Sequence, residues 1–309
     1  MSTDNIVRDF QNPPVKYRGV PFWAWNAKLE PEQLRSQIRA MKKMGMGGFF
    51  MHSRVGLKTP YLGKEWFDCI AACIDEAKKE GLDAWLYDED RWPSGAAGGI
   101  VTADDRFKMK ELLIEWTPDK SKLHNNGTTL ACFAAVFEEE KVVSYRRINS
   151  DDEVSAGETF VRCYFEKSKS TSEFNGQTYL DTMNEEAVRK FIDVTHEAYD
   201  REFKSEFGKA VPGIFTDEPC YSLPYRSVNN LPWTVGLEQK FIEKYHYDLC
   251  DGMIELFFEC GKEFSVYRNN FYALAAELFV NAFGKQIGEW CEKHNLALTG
   301  HVLGEDDLD

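Results

Sequence analysis

The chain carries two kinds of apolar pattern. Short, nearly unbroken apolar runs end in polar residues, and longer stretches repeat apolar residues every three or four positions. PFWAWN (21–26) is the first run. Leu34, Ile38, Met41 and Met44 then follow at helical spacing, with Pro31 suited to a first turn and Gly45 to a stop. MGGFFMHSR (46–54) is a second apolar run. A second helix is expected over 64–80, with Trp66, Phe67, Ile70, Ile74 and Ala77 on one face and Gly81 closing it. LDAWLYDEDRWPSG (82–95) is a third run, ending in acids. Apolar strands separated by amphipathic helices read as parallel strands covered by helices.

Residues 104–180 break this rhythm. KELLIEWTP, LACFAAVFEEEKVVSYRRI and ETFVRCYFEKS, with turn signals at Asn126-Gly127 and Asn175-Gly176, predict an antiparallel β insertion. The α/β pattern then resumes. Asn184 is placed to cap a helix over 185–207, with Glu185 and Glu186 in its first turn. VPGIFTDEPCY (211–221) is a fourth strand, helical patterns cover 235–247 and 268–293, and LALTGHVLG is a fifth strand. The expected organisation is a first strand–helix block over 1–103, the β-rich insertion over 104–180, and a second block over 181–309.

The strand ends discriminate between architectures. In chain order they deliver Asn26; His52 and Arg54; Asp88, Glu89 and Asp90; Asp217 and Glu218; and His301 with Glu305. An open doubly wound sheet gathers ligands at one switch point, whereas a (β/α)8 barrel brings every strand end to one mouth. Five polar strand ends predict a TIM-type (β/α)8 barrel. With five strands where eight close a barrel, the expectation is a catalytic domain truncated after its fifth strand. No G-x-G-x-x-G follows the first strand, which excludes a dinucleotide cofactor of that class.

Composition narrows the partners. The 309 residues carry a formal charge of −14, which argues against nucleic acid and anionic membrane surfaces and favours a neutral or cationic ligand. Much of that charge serves solubility. Eight cysteines without a C-x-x-C pair read as reduced thiols in a reducing, cytoplasmic compartment. The first twenty residues have no apolar core of a secretion signal, and no run approaches the ~20 apolar residues of a membrane span.

GIFTDEPCY is the sharpest chemical signal, with two carboxylates where a buried strand opens to solvent. Alternation sends one of the pair into a pocket and the other sideways. Paired acids suit proton transfer, because one carboxylate disfavours ionisation of its neighbour. The structural alternative is an acidic turn capping the next element. TGHVLGE adds His301 and Glu305. Two carboxylates across a scissile bond hydrolyse glycosides, with retention at separations of about 5 Å and inversion at roughly 6.5–9.5 Å. The alternative for Glu305 is a solvated acid in the tail EDDLD. In YDEDRWPSG, Asp88 and Glu89 offer partners for sugar hydroxyls or a cation and Trp92 a face for a sugar ring, or else the segment is an acidic loop over a packed Trp. His52 and Arg54 stand at the same mouth, although a lone strand-end His is often structural. Trp23 and Trp25 face one side together, as barrel core or pocket floor. H-E-x-x-H is absent, so a zinc site of that class is not indicated, while calcium on oxygen ligands is compatible with the acids.

These segments together resemble the α-L-rhamnosidases of glycoside hydrolase family 106 and their uncharacterised relatives. The resemblance is carried by PFWAWN, QLRSQIRAMKKMGMGGFFMHSR, YLGKEWFDCIAACIDEAKKEGLDAWLYDEDRWPSG, GIFTDEP and LTGHVLGE, in chain order over nearly all of residues 20–307. It implies a (β/α)8 catalytic domain, inverting hydrolysis of terminal α-L-rhamnosides and a calcium ion near the substrate. It implies Glu218 as acid and Glu305 as base, with His52, Asp88, Glu89 and His301 as substrate or metal contacts. Members of the family are usually far longer, and Arg91 falls where a smaller residue is expected, which bears on sugar specificity. Two alternatives stay open. One is a retaining barrel glycosidase with Glu218 as acid/base and its nucleophile outside this chain. The other is a carbohydrate-binding relic without turnover. The 309-residue chain by itself is expected to be poorly active.

Overall fold

A computed structural model describes residues 3–304 apart from 125, 224–229 and 262. Helix α1 (Thr3–Gln11) precedes β1 (Phe22–Trp25), α2 (Pro31–Lys43), β2 (Gly48–Ser53), α3 (Lys64–Glu80) and β3 (Asp83–Tyr87). Four antiparallel strands follow, β4 (Lys110–Thr117), β5 (Thr128–Glu138), β6 (Lys141–Ile148) and β7 (Thr159–Lys167). The chain continues through α4 (Glu185–Val194), α5 (His196–Phe203), β8 (Gly213–Asp217), β9 (Asn230–Trp233), α6 (Leu237–Tyr245), α7 (Val266–Phe279), α8 (Gln286–Lys293) and β10 (Ala297–His301). A π-helical segment, Val280–Lys285, joins α7 to α8. Among the described residues no helix is long and apolar enough to cross a membrane.

The described residues form a mixed α/β structure with two sheets. One is parallel, in the order β1-β2-β3-β8-β10; the other is antiparallel, in the order β6-β5-β7-β4-β9. The antiparallel sheet grows from the segment read as an insertion, but its edge strand β9 comes from residues 230–233, beyond the expected limit at 180. Four residues with Pro232 among them gave no strand signal, and proline is tolerated at such an edge. A buried ion pair fastens this sheet to the chain entering α4. Lys110 Nζ lies 3.2 Å from Asp181 Oδ2, and Thr234 Oγ1 donates to the same oxygen at 2.9 Å. Asn184 caps α4 as expected, its side-chain oxygen accepting from the N–H groups of Glu186 and Ala187. The helix expected over 185–207 breaks at Thr195, whose hydroxyl donates back to Phe191 O at 2.8 Å. None of the eight cysteines is in a disulfide, and all but Cys260 are buried.

Period-two alternation gives the parallel sheet two different faces. Trp25, Phe49, Met51, Ala84, Leu86 and Ile214 are buried against the helices. Trp23 and Trp25 lie on this face: Trp25 packs on Trp66 of α3, and Trp23 Nε1 donates to Gln37 of α2. They belong to the sheet–helix core, not to a pocket floor. The other face carries Phe22, Phe50, Trp85 and Phe215 in mutual ring contact. Gly213 permits close strand packing there. A Cβ at this position would sit 2.3 Å from Ala297 O and 2.4 Å from the Trp85 ring. Gly213→Ala is therefore expected to cost about 1–3 kcal/mol through overpacking, measured as a lower urea midpoint with an unchanged slope.

Behind the sheet, His196 of α5 is fully buried between Phe191 and Trp290, with Nε2 3.9 Å from Asp88 Oδ2. Burial pushes the imidazole down to about 3 and the Asp88 carboxyl well up from its ordinary range. Unfolded, His196 takes a proton near pH 6.5; folded, it takes one only near 3. The stability it contributes is present above pH 6.5 and is lost as pH falls towards 3, by up to about 1.4 kcal/mol per pH unit. His196→Gln is expected to flatten the loss of urea midpoint between pH 6.5 and 4 relative to the wild type; parallel slopes would refute the assignment.

Candidate active site

The site is built by the loop after β3 and by the ends of β2, β8 and β10. Glu89 organises the loop. Its carboxylate is 2% exposed and accepts from the backbone N–H of Asp90, Gly95, Ala97 and Gly98 at 2.5–2.8 Å. Burial pushes this carboxyl up to about 7 against the pull of those four donors. Gly98 holds φ +62°, and a Cβ there would lie 2.7 Å from the Asp90 carboxylate. Ser53 Oγ donates to Asp90 Oδ1 at 3.0 Å, tying the loop to β2. Arg91 donates to Ser172 O and Asn175 Oδ1, so it anchors the loop to the turn after β7.

The loop in turn fixes the acids of β8. Ser94 N donates to Asp217 O at 2.8 Å, and Asp217 N donates to Ser94 Oγ at 2.8 Å. The same hydroxyl donates to Asp88 Oδ1 at 2.6 Å. Tyr87 OH lies 2.7 Å from Asp217 Oδ2, and burial with that neighbouring carboxylate pushes the phenol up. Trp92 Nε1 donates to Glu218 Oε2 at 2.9 Å. From the neighbouring strand, His301 Nε2 stands 3.3 Å from both Asp217 Oδ1 and Glu218 Oε1.

A cavity of about 340 Å3 opens at these strand ends, lined by Phe22, Ala24, His52, Arg54, Trp92, Asp217, Glu218 and His301. That volume is at the lower end of the ~300–1,000 Å3 range of small-ligand pockets. Both acids of the TDE segment line it, although alternation alone would turn one of them sideways. The reason is local: Glu218 has φ +47°, a left-handed conformation that ends the strand geometry at that residue. His52 is 4% exposed, packs on Tyr87 with ring centroids 4.0 Å apart, and is pushed down to about 3 by burial and by Arg54.

Six of the residues expected at a site therefore meet here: His52, Arg54, Trp92, Asp217, Glu218 and His301. Asp88 and Glu89 do not line the cavity. Tyr87 points towards it, so alternation sends Asp88 to the helix side against His196, and Glu89 is consumed by backbone amides. Asn26 is exposed and does not line the cavity. Glu305 lies outside the described residues. Two residues that hold the acids were not singled out from the sequence. Tyr87 was legible from alternation with Trp85, whereas Ser94 carried no signal beyond a turn-forming WPSG.

Asp217, Glu218 and His301 offer donor atoms within 4.8 Å of one another. Calcium takes six to eight oxygen ligands. Two carboxylates and an imidazole are a poor fit to that demand, so the chemistry of these groups is derived from the side chains alone. What they can do is hold a carboxyl group at the edge of a sugar-sized cavity, beside an aromatic wall and a cation.

No family model and no curated protein matches the chain. Its fold is similar to that of a solved rhamnosidase from Novosphingobium sp. PP1Y, with a TM-score of 0.63 and 12% sequence identity. The likeness covers 96% of this chain and 47% of that one, so the chain spans about half the length of the protein it resembles. At that identity the likeness is one of fold: the chain has a rhamnosidase-like fold.

Proposed function

We propose that the protein is a glycoside hydrolase of the α-L-rhamnosidase type, related to glycoside hydrolase family 106, and that the parallel sheet is part of a (β/α)8 barrel. The observation that carries the reading is the cavity at the C-terminal strand ends, where Trp92 and His301 bracket Glu218. In barrel enzymes this is where the chemistry sits. The strand order supports the barrel, since β1, β2, β3, β8 and β10 run parallel in chain order without the reversal that marks a doubly wound sheet.

In this reading Glu218 is the general acid. It gives its proton to the glycosidic oxygen as the bond from that oxygen to the anomeric carbon breaks. Trp92 fixes the carboxyl through Oε2, and His301 with Asp217 orients it from the other side. Glu305 is the general base, taking a proton from the water that forms the new bond on the opposite face of the ring, with inversion. His52, Arg54, Trp92 and His301 contact the substrate, with Phe22 as an apolar wall. Asn26 is assigned to the rim, and Asp88 and Glu89 act through the loop they hold. Calcium has no assigned role in these steps.

The test is hydrolysis of aryl α-L-rhamnosides by the full-length protein encoded by the gene. Glu218→Gln is expected to lower kcat by about 10²–10⁴, the usual worth of a general acid, with little change in KM. Glu305→Gln is expected to lower kcat comparably; near-normal hydrolysis would remove it from the pair. NMR of the first sugar released is expected to show the inverted anomer, and a retained anomer would overturn the inverting assignment.

A further inference from the structure

Among the described residues, no side chain pairs with the Arg54 guanidinium at the cavity. Arg54 follows β2, is exposed and lines the cavity; its backbone is bonded to Trp25 and Leu57, but its guanidinium makes no hydrogen bond or ion pair among the described residues. The two carboxylates sharing the cavity are engaged elsewhere, Asp217 by Tyr87 and His301, Glu218 by Trp92 and His301. Beside Arg54, the buried His52 has an Nδ1 with no hydrogen-bond partner among the described residues. An unpaired guanidinium next to an imidazole with spare capacity calls for an acceptor-rich ligand.

We propose that Arg54 determines specificity, and that the substrate is a glycoside carrying a carboxylate beside the scissile bond, held by the Arg54 guanidinium. This rests on the glycosidase reading and names its substrate class. The sheet order supplies the geometry. Arg54 follows β2 and Glu218 follows β8, with β3 between them, so their strands lie two spacings of about 4.8 Å apart. A substrate with its glycosidic oxygen at Glu218 reaches Arg54 with a group about one sugar position away, clear of the acids. Arginine suits the task, because its planar fork pairs with a carboxylate through two parallel N–H donors. The net charge of −14 points the other way, towards neutral or cationic ligands. Screening over about 8 Å at physiological salt leaves the nearest guanidinium in control of a group bound in the cavity.

The test reads binding, so it stands apart from turnover. D-Galacturonate and D-glucuronate are titrated calorimetrically against D-galactose and D-glucose, which differ from them only in the group at the sixth carbon. The uronates are expected to bind at least about tenfold tighter, the scale of one charge-assisted hydrogen bond, and the preference is expected to shrink in high salt. Arg54→Gln should abolish the preference and Arg54→Lys should keep part of it, each with an unchanged near-ultraviolet spectrum. Equal binding of acid and neutral sugars, no binding of any of them, or a preference that survives Arg54→Gln overturns the proposal. Failure of the glycosidase reading shows separately, as absent hydrolysis of aryl rhamnosides by a protein that still prefers uronates.

Discussion

The mouth of this protein depends on one buried carboxylate. Glu89 gathers four backbone N–H groups from residues 90–98 and so forces a nine-residue segment to curl around it. Each hydrogen bond to a charged acceptor is worth about 1.5–3 kcal/mol, while taking the carboxylate out of water costs several kcal/mol. The balance leaves shape as the main product. Once the loop is curled, Trp92 reaches Glu218 and Ser94 reaches Asp217. The acid that looks most like a ligand in the sequence thus acts one step away from the cavity, through the backbone it organises.

The second constraint is alternation along the parallel strands. It assigns Trp25, Phe49 and Ile214 to the helices and Phe22, Phe50 and Phe215 to the opposite face. The same rule carries Tyr87 towards the cavity and Asp88 away from it, where it meets His196. It stops at Glu218, whose left-handed backbone brings a second adjacent carboxylate into the cavity. A cavity with two acids, two imidazoles, a Trp and an arginine follows from strand geometry broken at one residue.

Much of this was legible in the chain. Apolar runs ending in polar residues located all five parallel strands, and Asn184 marked its helix start. The convergence of His52, Arg54, Asp217 and His301 follows from their shared position at strand ends, whereas Trp92 arrives on the loop that Glu89 holds and Glu218 through its left-handed backbone. The roles of Asp88 and Glu89 were not legible, because carboxylates that bind substrate and carboxylates that bind backbone amides look alike in a sequence. β9 was hidden because four residues with a proline carry no period. The turn at Glu218 was hidden because a left-handed glutamate has no sequence signature.

The most direct test of the central claim, that Glu218 is the proton donor at this mouth, is a leaving-group series. Aryl α-L-rhamnosides spanning a wide range of phenol acidity are hydrolysed by the full-length protein and by its Glu218→Gln variant, and log kcat is plotted against leaving-group pKa. The account expects a nearly flat line for the wild type, because Glu218 protonates the departing oxygen, and a steep negative slope for the variant. Equal slopes for the two proteins would contradict it.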